Sequence, residues 1–177
     1  MKERKKVLWV IGDSTLSSFN DKYYYPRYGY GTKLAAYLDD AVEVKNIALS
    51  GRSSKSYTTE PQYKELTGGM QKGDFLLIGF GHNDEKTEEA RFTSAQGDYK
   101  TAGSFAASLY DNYIVPAQKA DCQVILCTPI VRRTKTGEWN AQDLHVSGRR
   151  LSAGSPGTWK NTGASGCGYD KDDKGTL

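Results

Sequence analysis

The chain has 177 residues, with 24 Lys and Arg against 21 Asp and Glu and a formal net charge of +3, which suits one domain with one site. Its basic residues are interspersed with acidic ones and form no stripe, which argues against a nucleic-acid partner. After Met-Lys-Glu-Arg-Lys-Lys only five apolar residues follow, Val7 to Ile11, far short of a secretory core or a membrane span, so a soluble, cytoplasmic protein without a membrane partner is expected. Cys122, Cys127 and Cys167 show no metal-type CxxC spacing. Buried free thiols are therefore expected, with no disulfide framework and no zinc site.

Val7 to Ile11 is a short, continuous apolar run that ends in Gly12-Asp13-Ser14 and reads as a buried strand entering a turn. Past a Tyr-rich loop (Tyr23 to Tyr30), Thr32 to Leu38 carries helix formers at helical apolar spacing. Val42 to Ala48 alternates enough for a second strand, stopped by Ser50-Gly51, and Asp74 to Gly81 is a third, buried one. Ser104 is a plausible N-cap for a helix to Lys119, and Asp121 to Cys127 is a fourth strand closed by Thr128-Pro129. Strands alternating with helices predict an α/β fold with a parallel sheet covered on both faces.

In such a sheet ligands bind beyond the carboxyl ends of the strands. Ser14, Gly51 and Asn83 each follow a predicted strand and can converge at one edge. A serine hydroxyl at a strand end is an exposed nucleophile once a base takes its proton. Taken singly, Gly12-Asp13-Ser14 is also ordinary turn chemistry, Gly51 a tight turn and Asn83 a cap residue. Taken together, the Ser14 N–H, the Gly51 N–H and the Asn83 amide can surround the oxyanion of an acyl-transfer intermediate.

Gly-Asp-Ser-Thr at 12–15, Asn-x-Ala-x-x-Gly-Arg-Ser-Ser-x-Ser at 46–56 and Gly-His-Asn-Asp-Glu-Lys at 81–86 resemble, in order, the first three blocks of the SGNH (GDSL-like) hydrolases. The wording is most similar to the rhamnogalacturonan acetylesterase branch, over roughly residues 5–146. The resemblance implies a flavodoxin-like three-layer α/β/α sandwich that removes acetyl groups from carbohydrate, with no cofactor or metal. The implied partner is an acetylated oligosaccharide or small ester. Ser14 is then the nucleophile, Gly51 and Asn83 oxyanion donors, and Asp13 and His82 supporting residues of their blocks. Arg52, Ser53 and Ser54 either touch substrate or cap the following helix, and Tyr23 to Tyr30 is either an aromatic platform for sugars or packing over the first helix.

The family's fourth block, Asp-x-x-His, supplies the general base and its orienting Asp, and these 177 residues contain no such motif. The two histidines are His82 and His145, and the latter, in Asp143-Leu-His-Val146, resembles a loop before a late helix. Residues 1–148 are therefore read as the hydrolase domain, incomplete at its C-terminus, and 149–177 as a Gly- and Ser-rich tail with too few apolar residues to order itself.

Shifted by one base, the codons of Leu151 to Trp159 can encode Tyr-Pro-Gln-Ala-Leu-Arg-Glu-Leu, and a permitted reading further on is Val-Asp-Met-Thr-Lys-Met-Thr-Lys-Glu-Leu. Both strings resemble the family's late helix and last strand. The hypothesis that follows is a one-base slip near Gly148 that truncates a longer esterase and leaves this chain impaired. Sequencing the gene from an independent DNA preparation is expected to find Asp-x-x-His in the downstream shifted frame; an open frame lacking it sinks the hypothesis.

Overall fold

The computed structural model describes residues 4–19, 24 and 26–129, and the backbone of Ser165–Cys167. Its strands are β1 (Lys6–Gly12), β2 (Val42–Asn46), β3 (Phe75–Gly79), β4 (Gln123–Cys127) and β5 (Ser165–Cys167). They form one sheet in the order β2-β1-β3-β4-β5, and every pairing is parallel. That is the flavodoxin-like doubly wound order, with its switch point at β1 and β3. Of the 149–177 segment, only the three residues of β5 are described. Asp143 and His145 lie outside the described residues.

The apolar runs read as buried strands are buried on both faces, because successive side chains point to opposite sides. Trp9 and Ile11 of β1, Leu76 and Ile78 of β3 and Val124 of β4 share one cluster with Tyr57, Leu66, Phe105, Leu109 and Tyr113. Leu8, Val10 and Leu77 face the other way and pack with Leu16, Ala48, Tyr30 and Leu34. Each fully buried Leu, Ile or Phe contributes roughly 1.5–3 kcal/mol by leaving water.

The helix over the first cluster is built as its sequence predicts. It runs through α2 (Phe105–Leu109), a π-helical turn (Tyr110–Ile114) and α3 (Val115–Lys119). Ser104 caps it, its Oγ accepting the Ala107 N–H at 2.9 Å. The widened turn has a cause in Pro116, which has no N–H to give the Asn112 carbonyl one turn back. The Tyr63 hydroxyl donates to that carbonyl instead, at 3.0 Å, and the Val115 N–H bonds five residues back to Tyr110.

Three sequence expectations change. Thr32 to Leu38 belongs to a 3-10 helix, Tyr30–Tyr37, in which Gly31 is the buried residue and Tyr30 and Leu34 pack on the second cluster. Its first turn is wound tight by the Thr32 N–H and hydroxyl, both on the Gly29 carbonyl. A helix the sequence reading did not locate, α1 (Pro61–Gly69), starts on Pro61. Its signal was Pro at the first position followed by Tyr63, Leu66 and Met70 at helical spacing. Cys122 is buried and free as expected, but Cys127 is only half-buried.

At the amino edge, opposite the switch-point ends, Asp74 precedes β3 and is fully buried. Its carboxylate accepts from the Arg4 guanidinium at 2.7 Å, the Val7 N–H at 2.9 Å, the Gln71 N–H at 3.0 Å and the Trp9 indole at 3.3 Å. Burial works against its ionisation, yet these donors hold its pKa below the ordinary carboxylate range. Asp74→Ala leaves the buried Trp9 indole and the part-buried Val7 and Gln71 N–H groups without their acceptor and is expected to cost about 3 kcal/mol at pH 7. Because the folded pKa is lowered, this contribution is complete above the unfolded carboxylate pKa and fades as pH falls through the folded one. Urea unfolding of both proteins at neutral pH and at about pH 3 checks it: the gap must shrink in acid.

Candidate active site

Sheet register carries the distant sequence blocks to one edge. Gly12 stands opposite Gly79 at the carboxyl ends of β1 and β3. Beyond β2 the chain keeps to β1, with the Ile47 N–H on the Val10 carbonyl and the Leu49 N–H on the Gly12 carbonyl, both at 3.0 Å. Ser14, Gly51 and Asn83 therefore all emerge just past the same edge. Gly12 cannot be replaced cheaply there, since a Cβ would sit 2.3 Å from the Gly79 carbonyl oxygen.

Ser14 is half-buried, and the turn that carries it is braced by Asp13. The Asp13 carboxylate accepts the Thr15 N–H at 2.8 Å and the Thr15 hydroxyl at 2.7 Å, while the Leu16 and Ser17 N–H groups bond to the Asp13 carbonyl. Asp13 is 1% exposed, so it supports the turn and does not line the surface.

Gly51 has φ +77°, a left-handed conformation that β-carbons resist. Among the described residues, a Cβ there would meet no atom within 4 Å. Backbone conformation, not crowding, is therefore what calls for glycine, and the space beside it is open. The Asn83 amide donates to the Arg52 carbonyl at 3.1 Å. One of its two N–H groups thus ties it to the residue after Gly51, and the second remains available to a ligand. His82 is buried beside it.

Of Arg52, Ser53 and Ser54, the two serines are built into the scaffold, while the Arg52 side chain is partly exposed. Ser53 and Ser56 form a reciprocal box, each hydroxyl accepting the other's N–H at 3.1 and 2.9 Å, ahead of the 3-10 turn Ser56–Thr59. Ser53 and Ser54 have no exposed surface. The Arg52 Nε is 2.5 Å from Glu60. In the Tyr-rich stretch, Tyr23 and Tyr25 lie outside the described residues. Tyr30 packs on the second core cluster, whereas Tyr28 is 60% exposed. Both readings of that stretch thus keep one tyrosine.

Asp84 was not singled out as a site residue in the sequence, and it holds the most perturbed acid of this edge. It is fully buried, and burial pushes its carboxyl up to about 6. Hydrogen bonds from Ser54 and Thr93 pull the other way, while the Asp13 charge adds to the rise. Burial, with the Asp84 charge next, drives the Tyr113 hydroxyl pKa well up. Among the described residues, no cluster of three or more His, Cys, Asp or Glu side chains could hold a metal ion. Nor is any described helix long and apolar enough to cross a membrane.

The fold is that of a doubly wound α/β protein, and this polar edge is built from the turns after β1, β2 and β3. No protein-family model matches the chain. It is 29% identical over 126 residues to the probable rhamnogalacturonan acetylesterase YesY of Bacillus subtilis strain 168, covering 71% of this chain and 54% of that protein. It is 35% identical over 79 residues to a rhamnogalacturonan acetylesterase of Emericella nidulans, covering 45% of this chain and 29% of the relative. The crystal structure of a catalytic mutant of Axe2, an acetylxylan esterase from Geobacillus stearothermophilus, superposes with a TM-score of 0.63 at 15% identity, over 91% of this chain and 74% of that one. By sequence the chain is similar to rhamnogalacturonan acetylesterases, and it shares its fold with the acetylxylan esterase Axe2. It spans about half the length of its Bacillus relative.

The raised Asp84 pKa has a thermodynamic sign. Between about 6 and the ordinary carboxylate value of 3.8, the folded protein holds a proton that the unfolded chain has already released. Stability is therefore expected to fall as pH rises through this window, by on the order of 2 kcal/mol. Asp84→Asn, which does not titrate, removes this component of the slope. Urea unfolding of both proteins at several pH values from about 4 to 7 measures it, and parallel profiles would refute it.

Proposed function

We propose that the protein is a carbohydrate esterase that hydrolyses acetyl esters on pectic or related plant-type oligosaccharides, with Ser14 as nucleophile. The Ser14 Oγ adds to the acetyl carbonyl carbon, and its proton passes to a general base. The oxyanion is received by the Ser14 and Gly51 N–H groups and the Asn83 amide. Collapse expels the sugar hydroxyl, which takes the proton, and water then releases acetate from the acyl-serine. The observation that carries this reading is the shared carboxyl edge of Ser14, Gly51 and Asn83, with the Asn83 amide bonded to the Arg52 carbonyl at 3.1 Å. The acetylated pectic substrate is taken from the names of the two relatives matched by sequence.

The proposal includes a deficit. Neither His82 nor His145 stands in an Asp-x-x-His motif, and a triad without its histidine loses about six orders of magnitude in turnover. That absence also favours a second reading, a non-catalytic carbohydrate binder or remnant. Acetate release from p-nitrophenyl acetate and from acetylated rhamnogalacturonan separates the two. The 177-residue chain is expected to be nearly inert, while a form extended in the shifted frame through Asp-x-x-His is expected to be active. In the extended form Ser14→Ala abolishes turnover, and Asn83→Ala lowers kcat about a hundredfold or more with little change in KM. Equal activity of the two forms would put the base within these 177 residues, with His82 first to test. An extended form that binds the oligosaccharide without releasing acetate favours the binder.

A further inference from the structure

The most heavily bonded group at the site edge is one that the acyl-transfer steps do not use. The Asp84 carboxylate takes the Ser54 N–H on both oxygens at 3.1 Å, the Ser54 hydroxyl at 2.5 Å and the Thr93 hydroxyl at 2.9 Å. Ser54 is in turn bonded to the Ser108 hydroxyl at 2.8 Å, and its carbonyl accepts the Tyr113 hydroxyl at 2.5 Å. The Asp84 carbonyl accepts the Thr93 N–H at 3.0 Å. One carboxylate thus gathers the loop bearing Gly51, the loop bearing Asn83, and the α2 and π-turn helix behind them.

Among the described residues, none of the ion pairs includes Asp84. The ionisable neighbours in its surroundings are Asp13 and Tyr113, of which the first repels it. A buried, unpaired carboxylate is costly to folding. Its compensation is geometric. A carboxylate has acceptor positions for a backbone N–H and two hydroxyls together, whereas a neutral amide offers one oxygen and adds two donors of its own.

We propose that Asp84 is the positioning residue of the oxyanion-binding arm, clamping the Gly51 loop to the Asn83 loop so that their two donors keep a fixed separation. The clamp closes around the Asn83-to-Arg52 hydrogen bond, since Ser54 lies two residues from Arg52 and Asp84 is adjacent to Asn83. The positioning role rests on the acyl-transfer reading above; the clamp itself is a property of the fold.

The test uses the 177-residue chain and needs no turnover. Methylboronic acid adds reversibly to a nucleophilic serine and presents a charged oxygen to oxyanion donors. Its affinity, measured by calorimetry, is expected to fall about tenfold in Asp84→Asn, less in Thr93→Val, and to vanish in Ser14→Ala. In parallel, hydrogen exchange of the Gly51 to Ser54 amides is expected to speed up about tenfold in Asp84→Asn relative to the β1 amides, which serve as the control for global loosening. Asp84→Ala adds a stronger lesion where it folds, and Asp84→Asn and Thr93→Val suffice where it does not. Unchanged exchange and affinity in Asp84→Asn overturn the clamp. Faster exchange with unchanged affinity leaves a structural clamp and overturns its positioning role. If the unsubstituted chain, lacking a base for the serine proton, does not bind the probe, the same comparison is made in the form extended through Asp-x-x-His; if that form does not bind either, or if binding survives Ser14→Ala, the Ser14 reading falls, and with it the positioning role; exchange then decides the clamp alone.

Discussion

The parallel pairing of β1 with β3, which sets Gly12 opposite Gly79, is the constraint on which the rest of this molecule depends. It fixes the switch point of the sheet and ends both strands at one level. Its tightness comes from the missing side chain at Gly12, whose Cβ would overlap the Gly79 carbonyl. The chain leaving β2 registers on the same strand through the Gly12 carbonyl. A residue wider than glycine at position 12 would push these ends apart, and with them Ser14, Gly51 and Asn83. The site is therefore as precise as the central strand pair.

Two buried aspartates mark the two ends of that pair and show opposite electrostatics. Asp74, at the amino edge, has a guanidinium and three N–H donors. Its charge is well compensated and its pKa lowered, and it fastens the N-terminal segment to β3. Asp84, at the carboxyl edge, has hydroxyl and amide donors but no cationic partner among the described residues, and its pKa is raised. One carboxylate favours the folded state at neutral pH and the other opposes it. On the proposed role of Asp84, the second pattern exchanges stability for the geometry of two loops, a trade typical of functional sites.

The strands were legible because their runs are short, apolar and bounded by Gly, Asp or Pro, and a parallel sheet buried on both faces demands that pattern. The helix from Ser104 was legible through its cap and spacing, although the π turn was not, because it arises from Pro116 meeting the distant Tyr63. The helix after Gly29 was legible as a helix but not as a 3-10 one, because its tight first turn comes from the Thr32 N–H and hydroxyl sharing the Gly29 carbonyl. Helix α1 escaped notice because Gly68, Gly69 and Thr67 obscure its short apolar stripe.

The sequence by itself determined the kind of fold, the family resemblance and the residues worth watching, because Gly-Asp-Ser-Thr, Gly-Arg-Ser-Ser and Gly-His-Asn-Asp are local strings with local chemistry. Tertiary structure alone decided how they are used. Ser53 faces Ser56, Ser54 faces Asp84 across thirty positions, and Asn83 reaches the Arg52 carbonyl. Sheet register and burial bring such partners together, and neither can be read from a residue's neighbours along the chain.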